Sequence, residues 1–201
     1  MNYQLVLEEE LKKIKPGSKL LLHACCAPCS SYCIEYLSNY FEIIIYYYNP
    51  NIDTDEEYNK RVNELKRFIK EFKTKYPVHL IDTGHLQEEY MKEIIGLENE
   101  PERGARCLKC YELRLRKSFE YAKEHNFDYI TTTLTLSPLK NSKVINEIGK
   151  KLEDEFNFKY LYSDFKKKEG YKRSIILSRE YNLYRQDYCG CKFSKKNKIS
   201  D

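Results

Sequence analysis

Six of the eight cysteines in this 201-residue chain stand in three tight groups, which any fold of the chain has to accommodate. They are Cys25-Cys26-x-x-Cys29 (the N-terminal triplet), Cys107-x-x-Cys110 (the middle pair) and Cys189-Gly190-Cys191 (the C-terminal pair). A chain of this length buries a sufficient core without disulfides, so grouped cysteines predict metal or redox chemistry. Cys33, on the same helical face as Cys29, is expected to be a bystander.

The N-terminal sequence MNYQLVLEEELKKIK contains no apolar run of the kind found in signal peptides or membrane spans. We therefore expect a protein of the reducing cytoplasm without a membrane partner. The charge is uneven, because residues 159–198 hold 12 Lys and Arg against 4 Asp and Glu. This basic C-terminal segment indicates either a polyanion partner, nucleic acid first, or a solvated basic surface.

Alternating strand and helix signals predict the fold class. Strands are indicated at residues 19–23, 42–48, 78–81, 129–136 and 158–162, with 129–136 as a central strand, and the final helix begins near Ser174. Asp53 with Glu56 resembles a capping box. We predict one α/β domain over residues 1–201, with a mainly parallel sheet flanked by helices. In such folds ligands bind at the carboxyl ends of strands, where Cys25 and Cys26 fall.

The N-terminal triplet and the middle pair are separated by 77 residues, and each lies near a predicted helix start. Backbone N–H groups stabilise thiolates there, so four thiolates could bind zinc or a 4Fe-4S cube, and a metal-free dithiol is the third interpretation. The adjacent Cys25 and Cys26 favour the cube, which offers separate iron corners. His23 either supports this site or is an ordinary core histidine.

The C-terminal pair needs a separate interpretation, because a Cys-x-Cys disulfide is strained. Strained and accessible disulfides tend to be catalytic or regulatory, which predicts a redox role; the alternative is that Cys189 and Cys191 supply further metal ligands. No P-loop or GxGxxG motif is present, so nucleotide-powered or nicotinamide chemistry has no sequence support.

Ordered motifs from residue 23 to residue 194 resemble those of the QueH family of epoxyqueuosine reductases. The first three are His23-Ala24-Cys25-Cys26-Ala27-Pro28-Cys29, Tyr48-Asn49-Pro50-Asn51-Ile52 and Glu100-Pro101-Glu102-Arg103-Gly104-Ala105-Arg106-Cys107-x-x-Cys110. The remaining ones are Thr132-Thr133-Leu134, Ser137-Pro138-x-Lys140 and Leu183-Tyr184-Arg185-Gln186-x-Tyr188-Cys189-Gly190-Cys191-x-Phe193-Ser194. Together they cover nearly the whole chain, and the ordered set is far more specific than any single CxxC.

The resemblance implies a Rossmann-like fold of the nucleotide alpha-hydrolase group and a reaction that converts epoxyqueuosine in tRNA to queuosine. The implied substrate is tRNA with a GUN anticodon, and the electrons would come from an external donor that the sequence does not identify. By the same resemblance, a 4Fe-4S cluster is held by Cys25, Cys26, Cys107 and Cys110, and a redox-active disulfide joins Cys189 and Cys191.

The chemistry of the implied reaction suggests further roles. Removing an epoxide oxygen takes two electrons and two protons, whereas a cluster passes one electron at a time, so the C-terminal pair would supply or relay reducing equivalents. Cys29, left over from the triplet, is assigned to a second, mononuclear iron that acts as a Lewis acid. Arg185, Lys140 and Arg106 are the candidates for substrate binding.

The sequence is also compatible with two rival functions. One is a non-catalytic RNA-binding protein in which zinc occupies a structural Cys₄ site. The other is a thioredoxin-like dithiol oxidoreductase, which explains the CxxC and CGC spacings but not the adjacent cysteines or the basic segment.

Overall fold

Four parallel strands form the sheet, and the computed structural model describes residues 1–195. The strands are β1 Ser18–His23, β2 Phe41–Tyr47, β3 Val78–Asp82 and β4 Tyr129–Thr132. Their order is β3-β2-β1-β4, and Leu22 of β1 aligns with Ile45 of β2 and Thr131 of β4. This architecture confirms the predicted α/β class with a parallel sheet.

Seven helices flank the sheet within the described residues. They are α1 Tyr3–Leu11, α2 Ala27–Leu37, α3 Asp55–Glu71, α4 Gln87–Glu93, α5 Ala105–Glu124, α6 Ser142–Phe156 and α7 Gly170–Glu180. As predicted, the middle pair lies at the start of a long helix, α5, but the final helix begins four residues earlier than expected. Across residues 1–195, no helix combines the length and apolar character that crossing a membrane requires.

Side chains of the central strands alternate between two apolar layers. In β1, Leu20 and Leu22 pack with α1, α2 and α3, whereas Leu21 faces the opposite layer with α5 and α6. In β2, Ile43 and Ile45 likewise belong to the first layer. Because both faces of a parallel sheet are covered, its strands are apolar almost throughout. This is why the apolar runs at residues 19–23 (KLLLH) and 42–48 (EIIIYYY) predict strands.

The prediction of a central strand over residues 129–136 was wrong in length and position. β4 ends at Thr132, and Thr133–Leu136 form a 3₁₀ turn. The Thr132 hydroxyl accepts a hydrogen bond from the backbone N–H of Leu134 at 3.1 Å, which turns the chain away from the sheet. β4 is the last strand in the sheet order, with β1 and β2 in the centre.

The predicted strand at residues 158–162 is reduced to a single parallel bridge between Ile130 and Tyr160. Two backbone hydrogen bonds flank it, from Ile130 to Lys159 and from Leu161 to Ile130. The Leu161 carbonyl then accepts the Thr131 hydroxyl at 2.8 Å instead of extending the ladder.

The predicted capping box at Asp53 and Glu56 was also wrong by one residue. Thr54 is the N-cap of α3, and its hydroxyl accepts a hydrogen bond from the backbone N–H of Glu57 at 3.2 Å. Asp53 instead pairs with Lys195, and its backbone N–H donates to the carbonyl of Gly190. Asp53, two residues before α3, therefore contacts the C-terminal pair, a contact that local sequence rules do not predict.

Candidate metal and redox site

The N-terminal triplet lies where the chain leaves β1 and enters α2. Cys26 is the N-cap residue of α2 with an extended backbone, and Pro28 occupies the first turn, where its missing N–H sacrifices no helical hydrogen bond. The side chain of Asn49 donates to the carbonyl of Ala24 at 2.8 Å and fixes the turn. The thiols therefore stand at the carboxyl edge of the sheet, as the fold class predicts.

The three sulfurs of the triplet are close enough to share one ligand. The Sγ atoms of Cys25 and Cys26 are 3.7 Å apart, and all three sulfurs lie within 4.8 Å of one another. Cys26 is buried, whereas Cys25 and Cys29 are partly exposed. The structure thus brings the Cys29 sulfur within 4.8 Å of both adjacent cysteine sulfurs.

Negative charge in the triplet concentrates on one sulfur. Hydrogen bonds from the thiols of Cys26 and Cys29, aided by the charges of Lys140 and Arg114, hold the pKa of Cys25 well below its usual value. The same sharing raises the pKa of Cys26 to about 12 and that of Cys29 as well, since each faces the Cys25 thiolate. Ionisation of the triplet is therefore favoured at Cys25 over Cys26 and Cys29.

The middle pair occupies the first turns of α5. The backbone N–H of Arg103 donates to the Sγ of Cys107 at 3.2 Å, and Cys107 is partly exposed. Cys110 is buried, and its burial raises the pKa of the thiol to about 12 although the Arg114 guanidinium opposes the shift. Cys107 and Cys110 thus differ in access although they belong to the same motif.

One cavity of about 270 Å³ collects thiols from all three groups. The thiols that line it are Cys25, Cys29, Cys107 and Cys189. Its charged side chains are Glu102, Arg103, Arg114, Lys140, Arg185 and Asp187. We call this space the cysteine cavity; four cations against two acids suit it to an anionic ligand or to a site rich in thiolates.

The C-terminal pair meets the cysteine cavity with only one of its sulfurs. Cys189 is partly exposed and lines the cavity, whereas Cys191 is buried and lies 3.1 Å from the hydroxyl oxygen of Tyr90. Both are free thiols. The Arg61 guanidinium donates to the carbonyl of Cys189 at 3.1 Å and is itself held by Glu57.

Gly190 between the two thiols has a backbone that favours glycine. Its φ is +113°, and a Cβ added there would stand 2.9 Å from Nη1 of Arg61. The backbone N–H of Asp53 also donates to the Gly190 carbonyl at 2.9 Å. The loop is therefore fixed from two sides, and glycine is needed for both conformation and space.

Arg114 is the main site residue that the motif analysis did not identify. It is 1% exposed, donates to the Asn49 side chain and to Nε2 of His23, and has no carboxylate partner among residues 1–195. The negative charges that favour its protonated form are those of Cys110, Cys25 and Cys189. Its position four residues after Cys110, on the buried face of α5, was the available signal.

His23 has its ring nitrogens occupied in the core. Nδ1 lies 2.8 Å from the Thr132 hydroxyl, and Nε2 lies 3.3 Å from both the Tyr48 carbonyl and Nε of Arg114. Burial and the nearby Arg114 charge lower the pKa of His23 to about 3, so the ring is neutral. This matches the interpretation of a satisfied core histidine, and through Arg114 the ring also supports the site.

The three candidates for substrate binding occupy different environments. Lys140 and Arg185 line the cysteine cavity, and neither pairs with an acid in the described part of the chain. Arg106 is buried, donates to the carbonyls of Glu98 and Glu100, and stacks on the Phe193 ring at 4.5 Å. Its guanidinium therefore ties the loop before α5 to the C-terminal tail and lies outside the cavity lining.

Much of the positive charge in the basic segment is paired. The ion pairs are Lys166–Asp164, Lys168–Glu8, Lys172–Glu169, Arg173–Glu35 and Lys195–Asp53. Two lysines of the segment, Lys196 and Lys198, fall outside the described residues. Among the described residues of this segment, Arg185 is a cation without an ion pair that also lines the cysteine cavity.

Comparison with known proteins agrees with this arrangement. A family model described as epoxyqueuosine reductase QueH matches residues 20–197, which include all three cysteine groups. The epoxyqueuosine reductase QueH of Streptococcus pyogenes serotype M1 is 41% identical, over 98% of this chain and 79% of that protein. The corresponding protein of Staphylococcus epidermidis is 43% identical, over 96% and 84%.

A more distant relative extends the similarity beyond these two genera. The epoxyqueuosine reductase QueH of Haemophilus influenzae is 37% identical, over 95% of this chain and 77% of that protein. These matches run over nearly the full chain and span the strand edge, the start of α5 and the C-terminal loop that together enclose the cysteine cavity. The chain belongs to the epoxyqueuosine reductase QueH family.

Proposed function

We propose that this protein reduces the epoxide of epoxyqueuosine in tRNA to the alkene of queuosine, with the oxygen leaving as water. The observation that carries the proposal is the cysteine cavity, which is lined by a thiol from each cysteine group and by cations that form no ion pair within residues 1–195. Membership of the family supports the type of reaction, and the lining of the cavity identifies the residues that would carry it out. A tRNA substrate also implies that the enzyme acts in the cytoplasm.

A 4Fe-4S cluster would be held by Cys25 and Cys26 from the triplet and by Cys107 and Cys110 from α5. The donor set fits such a group, because Cys25 and Cys107 line one cavity from two helix starts and the Arg114 guanidinium lies near Cys25 and Cys110. Cys26 is buried with its sulfur 3.7 Å from that of Cys25, and Cys110 is buried one helical turn after Cys107. When bound, the cluster would accept and pass single electrons. The Arg114 and Lys140 charges would offset the charge of the assembled thiolates.

Cys29 would hold a second, mononuclear iron. Its Sγ lies within 4.8 Å of both neighbouring thiols and faces the cavity, so it is available beside a cluster that uses Cys25 and Cys26. Iron at this position would have the Lewis acidity that an epoxide oxygen calls for.

The C-terminal pair would be the redox-active pair near the substrate. An epoxide and two thiols contain the atoms and electrons needed to give an alkene, one water and one disulfide, so the reaction balances. Cys189 would face the substrate, since its thiol lines the cavity and that of Cys191 does not. An external donor would then return the disulfide to two thiols.

Substrate binding would use cations that have no acidic partner in the described structure. Lys140 and Arg185 lie on the cavity wall, where they would contact phosphate or hydroxyl oxygens of the modified nucleotide. The proposed substrate is tRNA with a GUN anticodon, and protein recognition of RNA commonly reads splayed loop bases through stacking on aromatic rings. Tyr171 and Tyr188 line the same cavity and could serve in this way.

One observation also supports a second function. Three thiols within 4.8 Å of one another resemble the donor set of a single tetrahedral ion, so a zinc-stabilised RNA-binding protein is the competing proposal. Zinc would leave the protein colourless and redox-silent.

The activity is tested with anaerobically purified protein, dithionite and tRNA that carries epoxyqueuosine, followed by digestion and mass spectrometry of the nucleosides. We expect conversion to queuosine, seen as the loss of one oxygen, and at least a 100-fold slower conversion by the Cys189→Ser variant. If wild-type protein with a full metal complement yields no queuosine, the proposed reaction is wrong.

A further inference from the structure

The two thiols of the C-terminal pair lie in different surroundings. Cys189 is partly exposed on the cavity wall, whereas Cys191 is 8% exposed and packs with Ile94, Cys110 and Tyr90. The backbone between them is fixed by Arg61 and by the backbone N–H of Asp53. The pair therefore has an outer and an inner sulfur.

The polar side chain of Tyr90 stands at the inner sulfur. The hydroxyl oxygen of Tyr90 lies 3.1 Å from Sγ of Cys191, a distance at which a hydrogen bond to sulfur forms. Tyr90 is 3% exposed, and its ring is enclosed by Ile94 and Met91 from its own part of the chain. A buried hydroxyl needs a hydrogen-bond partner, and Cys191 is the partner that it has in the described structure.

We infer that Tyr90 is a positioning residue that stabilises the reduced form of the Cys189–Cys191 pair by hydrogen bonding to the inner sulfur. A thiol or thiolate sulfur accepts a hydrogen bond better than a disulfide sulfur, so the contact favours the dithiol. Dithiols that are stabilised in this way form stronger oxidants when they become disulfides. This inference rests on the proposed redox role of the pair and adds a residue that shifts its dithiol–disulfide equilibrium.

The contact has a defined consequence for the exchange equilibrium. When glutathione disulfide oxidises the pair, Cys189 and Cys191 lose two electrons and two protons, an S–S bond forms between them, and the S–S bond of glutathione disulfide breaks to give two glutathione thiols. Removing the Tyr90 hydroxyl removes a stabilising contact from the dithiol side only. Since a typical hydrogen bond contributes about 1 kcal/mol, the equilibrium should shift roughly threefold to tenfold towards the disulfide.

The test is a thiol–disulfide titration of the full-length protein as purified anaerobically. Wild type, Tyr90→Phe and Tyr160→Phe are equilibrated in mixtures of glutathione disulfide and glutathione, alkylated and digested with trypsin. Residues 186–192 form one tryptic peptide whose only cysteines are Cys189 and Cys191, so its mass reports the pair alone. Tyr160 is the matched control, because its buried hydroxyl has no hydrogen-bond partner among residues 1–195.

A shift towards the disulfide in Tyr90→Phe, with Tyr160→Phe matching wild type, is the expected result. If Tyr90→Phe also matches wild type while the disulfide forms normally, the inference is wrong and the proposed reductase function stands. If no mixture produces a disulfide in the wild-type peptide, the redox role of the pair fails together with the inference. Equal iron content and equal melting temperature in Tyr90→Phe and wild type show that a shift is not a folding defect.

Discussion

The N-terminal triplet and the C-terminal pair face the same cavity but are held by different kinds of structure. The triplet is placed by one strand and the helix that follows it, within seven residues of the end of β1. The C-terminal pair lies in a loop whose position depends on residues far away in the sequence, above all Arg61 and Tyr90. The first region is thus built by local rules and the second by tertiary contacts.

This difference suggests a division of labour. A metal centre needs ligands that keep their geometry, and a strand-to-helix turn at the carboxyl edge of a buried sheet is a rigid place for them. A thiol pair that cycles between dithiol and disulfide needs a loop whose conformation is controlled by its neighbours. We expect substitutions in the two regions to have correspondingly different effects.

The largest effect is expected from Cys26→Ala in the triplet. Loss of a proposed cluster ligand should remove most of the iron and slow product formation by about 100-fold or more. Cys33→Ala is the control, because Cys33 is a fully buried thiol of the apolar core one helical turn after Cys29. The Cys33→Ala protein should keep its iron and lose about 1 kcal/mol of unfolding free energy. Iron analysis and the tRNA assay decide; equal iron in both variants would contradict the assignment of Cys26.

The next largest effect concerns the anchor of the C-terminal loop. Arg61 is 2% exposed and pairs with Glu57 at 2.6 Å, so Arg61→Met should lower the free energy of unfolding by about 3 kcal/mol. The exposed pair Lys150–Asp154 provides the comparison. Lys150→Met should change the free energy of unfolding by less than about 0.5 kcal/mol. Urea unfolding measures both; similar losses would mean that the loop does not depend on Arg61.

A smaller effect is expected at Gly190. Alanine there would adopt an unfavourable φ and meet the Arg61 side chain, which should cost about 2 to 3 kcal/mol and reduce turnover. Gly17 also has a positive φ, but the space around it is open, so Gly17→Ala should cost only about 1 kcal/mol and leave turnover unchanged. Equal turnover in the two variants would show that the loop tolerates a shift.

The smallest expected effect tests the corrected helix cap. Thr54→Ala should lower the free energy of unfolding by about 1 kcal/mol, because it removes the acceptor for the N–H of Glu57 at the start of the helix that carries Arg61. Glu56→Ala should be nearly neutral, although the capping box predicted from sequence would make it the costly change. Chemical denaturation of the two variants distinguishes the assignments, and a larger loss in Glu56→Ala would restore the original one.

Sequence reasoning worked where structure is decided by neighbours along the chain. The apolar run ending at His23 predicted a strand, and the triplet was expected near the start of a helix; the structure has both. The start of α5 at the middle pair followed from the same rules. The α/β class followed from the alternation of these elements.

The remaining errors and omissions have a common physical origin in long-range contacts. Arg114 binds His23, 91 residues away, Arg61 binds the carbonyl of Cys189, 128 residues away, and Tyr90 contacts Cys191 across 101 residues. Nothing in the local pattern of a helix indicates which distant group its buried arginine will meet. The overlong prediction for β4 has the same cause, since the side chain of Thr132 ends the strand where it also binds His23.

The proposed function requires that two helix starts hold an iron–sulfur cluster beside a redox-active thiol pair. It is tested most directly by anaerobic purification, followed by analysis of iron, sulfide and zinc and a visible spectrum before and after dithionite. We expect about four sulfides with four or five irons per chain, and a brown absorbance that bleaches on reduction. One zinc per chain with no sulfide and no visible absorbance would contradict it and favour the zinc-stabilised RNA-binding protein.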